Sequence, residues 1–307
     1  AKVELDFRGS GTTFSVVRLR HAYLNLDWGT SALLLGQTWH PLYGDVAPQI
    51  LNLNMGAPFQ PFSRAPQIRY RYKTGDIQIT GAALWQSQYL SQGPEGKSQK
   101  YIKNSCVPEI YAGIDYKHKG LLIGAGIEMV SLTPRTQATV EDKIYKVSER
   151  ITSLSYEVHM KYNSEKWLVA AKSVLGSNLT QTSMLGGYGI KSIDPRTGEQ
   201  EYSPNRNSSS WINIVYGKTW KPAIFFGYMK NLGTSDAVTN MYGTGTNVDQ
   251  LLSGTAELTY NVPHWKLGVE YNLTSAWYGS LNHSNGKVVD THSVSNNRLV
   301  ATALFMF

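Results

Sequence analysis

Cysteine is almost absent from this chain: Cys106 stands alone among 307 residues. A single thiol forms no intramolecular disulfide, and no Cys-rich zinc pattern accompanies it. Cys106 reads as a loop residue without a redox role. Long apolar runs are also missing. A helical membrane span takes roughly 20 consecutive apolar residues, and the most apolar stretch, Leu299 to Phe307, is about half that. Helical membrane proteins are excluded. The net charge is +7 with a pI near 9.2, yet there is no Lys/Arg run, zinc finger or RNA-binding signature, so nucleic acid is not an expected partner. A Gly-x-Ser-x-Gly nucleophile elbow is lacking, and Gly243-Thr244-Gly245 reads as loop geometry and not as a phosphate cradle. No signal peptide opens the sequence, so any leader is expected to have been removed or to lie outside it.

What is present is period-2 alternation, almost from end to end, at about 22 residues per segment and connection. The starts fall near Lys2, Phe14, Ser31, Ala65, Ile77, Val107, Leu121, Ile151, Trp167, Ser210, Ala223, Leu251, Trp265 and Asn297. With no 3.6-residue period interrupting them, one all-β domain over residues 1–307 is expected. A transmembrane strand needs only about 9–11 residues with every second one apolar. The mean hydropathy of -0.29 therefore does not count against a membrane.

The connections alternate in length. Short ones lie at Trp28–Thr30, Thr74–Asp76, Lys117–Gly120, Asn163–Lys166, Thr219–Lys221 and Val262–His264. Long polar ones run His40–Arg64, Tyr89–Cys106, Thr133–Lys146, Gly176–Ser209, Gly233–Gln250 and Ala276–Asn296. Short turns on one rim and long loops on the other are the plan of outer-membrane barrels, and a Greek-key sandwich has no reason to keep it. Tryptophan agrees. Trp28, Trp167, Trp220 and Trp265 sit beside short turns; Trp39, Trp85, Trp211 and Trp277 sit where segments meet long loops. Tyr72, Tyr116, Tyr162 and Tyr260 close segments before short turns. Rings with an apolar body and a polar tip prefer the interface between tails and headgroups, so two aromatic girdles are expected. The final segment carries Leu299, Ala301, Ala303, Phe305 and Phe307 on one face, and a closing Phe resembles an outer-membrane sorting signal.

If Phe307 faces lipid, the same parity puts Ile68, Tyr70 and Tyr72 outward and Gln67, Arg69, Arg71 and Lys73 inward. It puts Trp265, Leu267, Val269 and Tyr271 outward, with Lys266, Glu270 and Asn272 inside. Ser155, Glu157, His159 and Lys161 form another inward set, and Arg18 and Arg20 oppose Val17 and Leu19. An ion facing acyl tails at midplane costs about 2–4 kcal/mol, which forces these assignments. Long charged side chains need the lumen of a large barrel; fourteen to sixteen strands leave an aqueous channel. The densest group, Arg18, Arg20, Arg69, Arg71 and Lys73, would attract anions. The alternative is that these arginines pair with Glu4, Asp6 and Glu109 and fill the wall.

Arg18-Leu19-Arg20-His21-Ala22-Tyr23, then Leu35-Gly36-Gln37-Thr38-Trp39, Pro48-Gln49, Asn54-Met55-Gly56 and Arg64-Ala65-Pro66-Gln67-Ile68-Arg69-Tyr70 make the chain resemble the DcaP-like porins of Gram-negative outer membranes. The likeness is most specific over residues 14–73 and only architectural beyond. It implies a trimeric, sixteen-stranded transmembrane antiparallel β-barrel, anion-favouring, with Arg18, Arg20, Arg69 and Arg71 at the constriction. Residues 40–64 would fold inward, bringing Asp45, Gln49, Asn52, Asn54 and Arg64 to the eyelet, and Glu109, Lys161, Lys266 and Glu270 would join the pore lining. Two features depart from the family. Fourteen strands are readable, so either an amino-terminal hairpin outside this sequence completes sixteen, the favoured expectation, or the chain is a fourteen-stranded relative. The loop is rich in Ile50, Leu51, Leu53, Met55, Phe59 and Phe62, with Asp45 its only acid, so a dicarboxylate preference does not carry over.

The expectation is a passive channel in the bacterial outer membrane for small hydrophilic or anionic solutes, without catalytic residues, metal or cofactor. Its partners would be the lipid bilayer and lipopolysaccharide, and a homotrimer is expected. Three other classes compete. A barrel enzyme of lipase or protease type would need a Ser-His or paired-carboxylate set, and His21, His40, His118, His159, His264, His283 and His292 are scattered. A hydrophobic-substrate transporter would carry a plug and a greasy lumen. An adhesin would keep its function in the loop Gly176–Ser209.

Overall fold

The computed structural model describes residues 1–9, 16–52 and 54–306, without the side chains of residues 8, 9 and 16. Phe14, Leu53 and Phe307, used above, lie outside the described residues. Sixteen strands join in one antiparallel sheet. Fourteen follow one another as a continuous wall: β1 (Lys2–Gly9), β2 (Val16–Asp27), β3 (Ser31–Trp39), β4 (Arg64–Thr74), β5 (Ile77–Leu84), β8 (Glu109–His118), β9 (Leu121–Leu132), β12 (Ile151–Asn163), β13 (Trp167–Ser177), β15 (Gln200–Tyr216), β16 (Trp220–Gly233), β18 (Val248–Val262), β19 (Trp265–Leu281) and β20 (Val288–Phe305). The other two, β14 (Gly186–Ile193) and β17 (Met241–Thr244), belong to long connections; β14 pairs with both β15 and β17. Outside the sheet are two small hairpins, β6 (Gln92–Gly93) with β7 (Gly96–Lys97) and β10 (Gln137–Val140) with β11 (Lys143–Lys146), and one short helix, α1 (Lys100–Ser105). β1 and β20 are the ends of the path, and among the described residues no register pairs them.

Each alternating segment became a wall strand, because every second residue meets a different solvent. In β12, Leu154, Tyr156 and Val158 are exposed on one face while Ser155, Glu157 and His159 are buried on the other; Val158 is 57% exposed and Glu157 2%. In β4, Ile68, Tyr70 and Tyr72 alternate with the buried Gln67 and Arg69. Polar inside and apolar outside reverses the rule for soluble proteins and marks a lipid-facing wall. Only a strand ladder or a helix satisfies the backbone in hydrocarbon, and here every neighbouring pair along the wall is antiparallel.

The wall differs from its expected outline at the long-loop rim. β15 begins ten residues before the segment read at Ser210, β19 runs to Leu281 and β20 starts at Val288, leaving only residues 282–287 between them. Antiparallel pairing continues past the bilayer, where both faces are wet and Asp290, His292, Ser293 and Asn296 carry no apolar contrast to read.

The girdle on the short-turn rim consists of Trp28, Trp167, Trp220 and Trp265, all exposed, with Trp167 against Tyr216 at 4.6 Å, Trp220 against Tyr260 at 4.7 Å and Trp265 against Phe305 at 4.9 Å between ring centroids. The long-loop rim corrects the expectation. Trp277 stays partly exposed, but Trp39 stacks on Tyr43, Trp85 packs on the inner apolar cluster, and Trp211 is buried against Phe225 with its Nε1 donating to Gln60. The residues between β3 and β4 offer an apolar underside, which Trp39 and Trp211 cover, and Trp85 joins the same cluster.

Val158→Lys should lower the unfolding free energy in lipid vesicles by about 2–4 kcal/mol, measured by denaturant titration. An unchanged midpoint would show that this face does not contact acyl chains.

Candidate functional site

The connection of residues 40–63 leaves the wall between β3 and β4 and reaches β18 and β19, far along the sheet. Its base is closed by His40 N–H donating to the Ser63 carbonyl at 3.0 Å. From there it bonds wall strand after wall strand. The ammonium of Lys172, in β13, donates to the carbonyls of Leu42 and Tyr43, the latter at 3.2 Å, and pairs with Glu157 at 3.1 Å. Tyr111 OH donates to the same Glu157 at 2.9 Å. Lys117 holds Asp45 at 3.0 Å, and Lys161 donates to the Asp45 carbonyl at 3.4 Å. Gln49 N–H donates to Asn213 Oδ1 at 2.8 Å, and Ser209 Oγ to the Phe59 carbonyl at 3.1 Å. At the tip, Leu51 N–H lies 2.8 Å from both Glu257 and Glu270, and Asn52 N–H donates to Glu270 at 3.0 Å. Backbone groups that leave a sheet need partners, and inward side chains of five wall strands, β12, β13, β15, β18 and β19, supply them.

Packing matches. Phe59 lies over Gly227 of β16, where an added Cβ would meet its ring at 2.6 Å. Gly227 therefore lets an aromatic ring rest on the ladder. Gln60, fully buried, donates to the Tyr43 and Val46 carbonyls and ties the segment to itself.

The expected lining residues fall into groups. Arg18 makes a bidentate pair with Asp6, the shorter arm 2.6 Å, and Arg20 lies 3.0 Å from Glu4. A register shift pairs Glu4 with His21 but Leu5 with Leu19, so β2 has one extra residue at Arg20 and both arginines reach β1 carboxylates. This favours the wall-pairing alternative for these two. Arg69 is buried, bonded to Gln67 Oε1 and the Trp39 carbonyl, while Gln67 donates to the carbonyls of Thr38, Trp39 and Ala65. Arg71 and Lys73 form no ion pair among the described residues. Three placements correct the sequence reading. Arg64 is 1% exposed beneath Trp39, 4.8 Å from the ring centroid, and does not reach open space. Glu109 is buried in a triad described below. Glu270 is covered by Leu51 and Asn52 N–H groups, with Arg298 at 3.4 Å. Lys161 and Lys266 remain partly exposed, as does Asn52, and Asn54 is exposed.

Burial explains these misses: parity says which face a charge is on, not whether a loop covers it. Lys172 and Glu257 were within reach of the same parity in their segments, whereas the His40–Glu109–Glu128 triad joins three distant parts of the chain.

In that triad, His40 Nε2 lies 3.2 Å from Glu109 and 3.1 Å from Glu128, and all three side chains are essentially inaccessible. Gln86 Nε2 donates to the other Glu109 oxygen at 2.5 Å. Burial opposes charge on the ring, but Glu128 and Glu109 outweigh it, so the His40 pKa is pushed up to about 9. When neutral, the ring accepts from Leu42 N–H at Nδ1, 3.2 Å away, and keeps its proton on Nε2 facing the acids. Nearby, burial raises the Asp45 carboxyl but Lys117, Arg71 and Arg69 prevail and hold it below the usual range.

The triad fixes the root of the inward segment, with a definite pH signature. A group whose pKa rises on folding, here from about 6.5, stabilises fully below its unfolded value and loses that contribution as pH climbs through about 9. Unfolding free energy should therefore fall between about pH 6.5 and 9. His40→Leu should cost about 3–5 kcal/mol at neutral pH, the penalty for stranding buried charge, and flatten that slope. A variant with the wild-type slope would remove His40 as its source.

No family model matches the chain, and no curated protein matches it. Solved structures do. OmpT of Vibrio cholerae superposes with a TM-score of 0.57 at 10% identity, over 94% of this chain and 82% of that one. Its trimer form aligns with the same TM-score at 11% identity, over 99% and 85%. OmpF of Salmonella typhi, solved in complex with daunomycin, gives 0.51 at 12% identity, over 93% and 79%. The fold is that of bacterial outer-membrane β-barrels, and the exposed apolar belt is the surface such a barrel presents to its bilayer.

Proposed function

We propose that this protein is a passive diffusion channel for small hydrophilic solutes in a Gram-negative outer membrane, built as a homotrimer of the DcaP-like type, and not an enzyme. The observation that carries the reading is the segment of residues 40–63, bonded to inward side chains from β8 to β19. A barrel serving only as an anchor, or as a scaffold for long outer loops, gains nothing from such cross-bracing. A channel does, because a fixed internal segment sets the bore and puts its dipoles and charges where solutes pass. The trimer is drawn from the Vibrio cholerae structure, whose trimer form matches nearly the whole chain.

The histidines do not form a hydroxyl-nucleophile set. His21 meets Thr38, His118 meets Asp76, His159 meets Asp115, and His264 and His283 meet carbonyls. Among the described residues none bridges a carboxylate and a hydroxyl, the arrangement a serine or threonine nucleophile requires.

Anion preference, in this reading, rests on few charges. Arg18 and Arg20 are offset by Asp6 and Glu4, and Arg69 is covered, so Arg71 and Lys73, with the partly exposed Lys161 and Lys266, set the sign of the field. In planar bilayers under a KCl gradient, the reversal potential should report a modest anion preference. Arg71→Ala with Lys73→Ala should reduce it, while joint removal of Arg18 and Asp6, a neutral change, should leave the permeability ratio within about twofold. Preference that the first variant leaves undiminished would discard this assignment, and absence of any conductance would discard the channel.

A further inference from the structure

Between residues 50–59 and the inner faces of β16, β18, β19 and β20 lies a cavity of about 230 Å³. Its lining has two sides, an apolar one with Ile50, Pro58, Phe59 and Leu251 and a polar one of hydroxyls and amides. Ser253 and Thr255 come from β18, Asn272 and Thr274 from β19, Asn296 from β20 and Asn52 from the inward segment, with Phe225 on the floor. Among the described residues Arg298 is the one ionised side chain in the lining, and it leans toward Glu270 at 3.4 Å. No carboxylate of the described residues lines the space.

The amide of Asn272 is fixed from two sides. Its Nδ2 donates to Ser253 Oγ and Thr255 Oγ1, each at 2.8 Å, and its Oδ1 accepts from Thr274 at 3.0 Å. Ser253 and Thr274 share a further contact at 2.9 Å. Four side chains on two strands thus form one belt whose members are oriented before any solute arrives. Hydroxyl groups both donate and accept, so the belt can exchange hydrogen bonds with a partner that does the same. Simple ions do not, and an apolar solute leaves the remaining hydrogen-bonding capacity of the hydroxyls unused.

We propose that this belt is a binding site for neutral polyhydroxylated solutes of single-sugar size, a deepening that rests on the channel reading above. Hydroxyls of the ring replace water along Ser253, Thr255, Asn272 and Thr274, and its C–H face lies toward Phe225. The volume, below the about 300–1,000 Å³ of drug-sized sites, suits one ring. Preorganisation keeps the entropic cost of each encounter low. Binding stays weak enough for release, as conduction requires.

The test uses the intact protein in planar bilayers at fixed KCl, with glucose as probe and succinate as comparison. Glucose should reduce the ion current saturably, beyond its effect on bulk conductivity, and succinate at equal concentration should do so less. Asn272→Leu should weaken glucose block about tenfold, the scale expected when a site built for hydroxyls loses its partner. Thr255→Val, nearly isosteric, should weaken it in the same direction and covers the case in which Asn272→Leu does not assemble. Open channels that glucose leaves unblocked, or block unchanged in both variants, would overturn this site while leaving the channel intact. Block by succinate alone would likewise overturn it. Absence of channels would remove both readings.

Discussion

Everything in this molecule follows from placing a backbone in a medium that offers it no hydrogen bonds. Each N–H and C=O in the bilayer must be paired within the protein, and an antiparallel ladder does so with only half of its side chains facing lipid. The other half are free to be polar, and in this chain they carry its ionised groups. That division yields Val158 outside and Glu157 inside on adjacent residues of one strand. It also supplies the interior with far more hydrogen-bonding capacity than a soluble core would hold.

The inward segment draws on that capacity. A stretch of chain inside a barrel loses conformational freedom and exposes backbone groups to be satisfied. Wall side chains meet both demands: Lys172 and Glu257 bind the segment's carbonyl and N–H groups, and the pair of Glu157 with Lys172 keeps that lysine in place. Apolar rings then exclude water from the underside, with Phe59 on Gly227 and Trp211 on Phe225. The His40 triad adds charge at the root, where two buried acids need a counter-charge. Rigidity and interior charge are thus coupled, since the residues that hold the segment also decide which interior charges stay exposed.

Sequence periodicity located all fourteen wall strands, and the short-turn rim came with them, because lipid enforces alternation wherever the strand touches it. The long-loop rim was less legible. Past the bilayer both faces of β15, β19 and β20 are wet, so pattern no longer tracks pairing, and three tryptophans at segment ends turned inward. Parity put the polar residues Gln67, Arg69 and Glu270 on the inner face, and each of these is covered. Whether an inward charge is open depends on the path of residues 40–63, which no local pattern encodes.

The sequence by itself determined the architecture: the two-residue period under a one-sided apolar solvent permits a membrane sheet and little else. Tertiary structure alone decided the chemistry of the interior. It set Arg18 against Asp6, brought His40 to Glu109 and Glu128, and lined up Ser253, Thr255, Asn272 and Thr274 on neighbouring strands. The reason is range. Alternation is a relation between adjacent residues and can be read along the chain, whereas electrostatic pairing and hydrogen bonding act across space between residues whose proximity only the register of the ladder fixes.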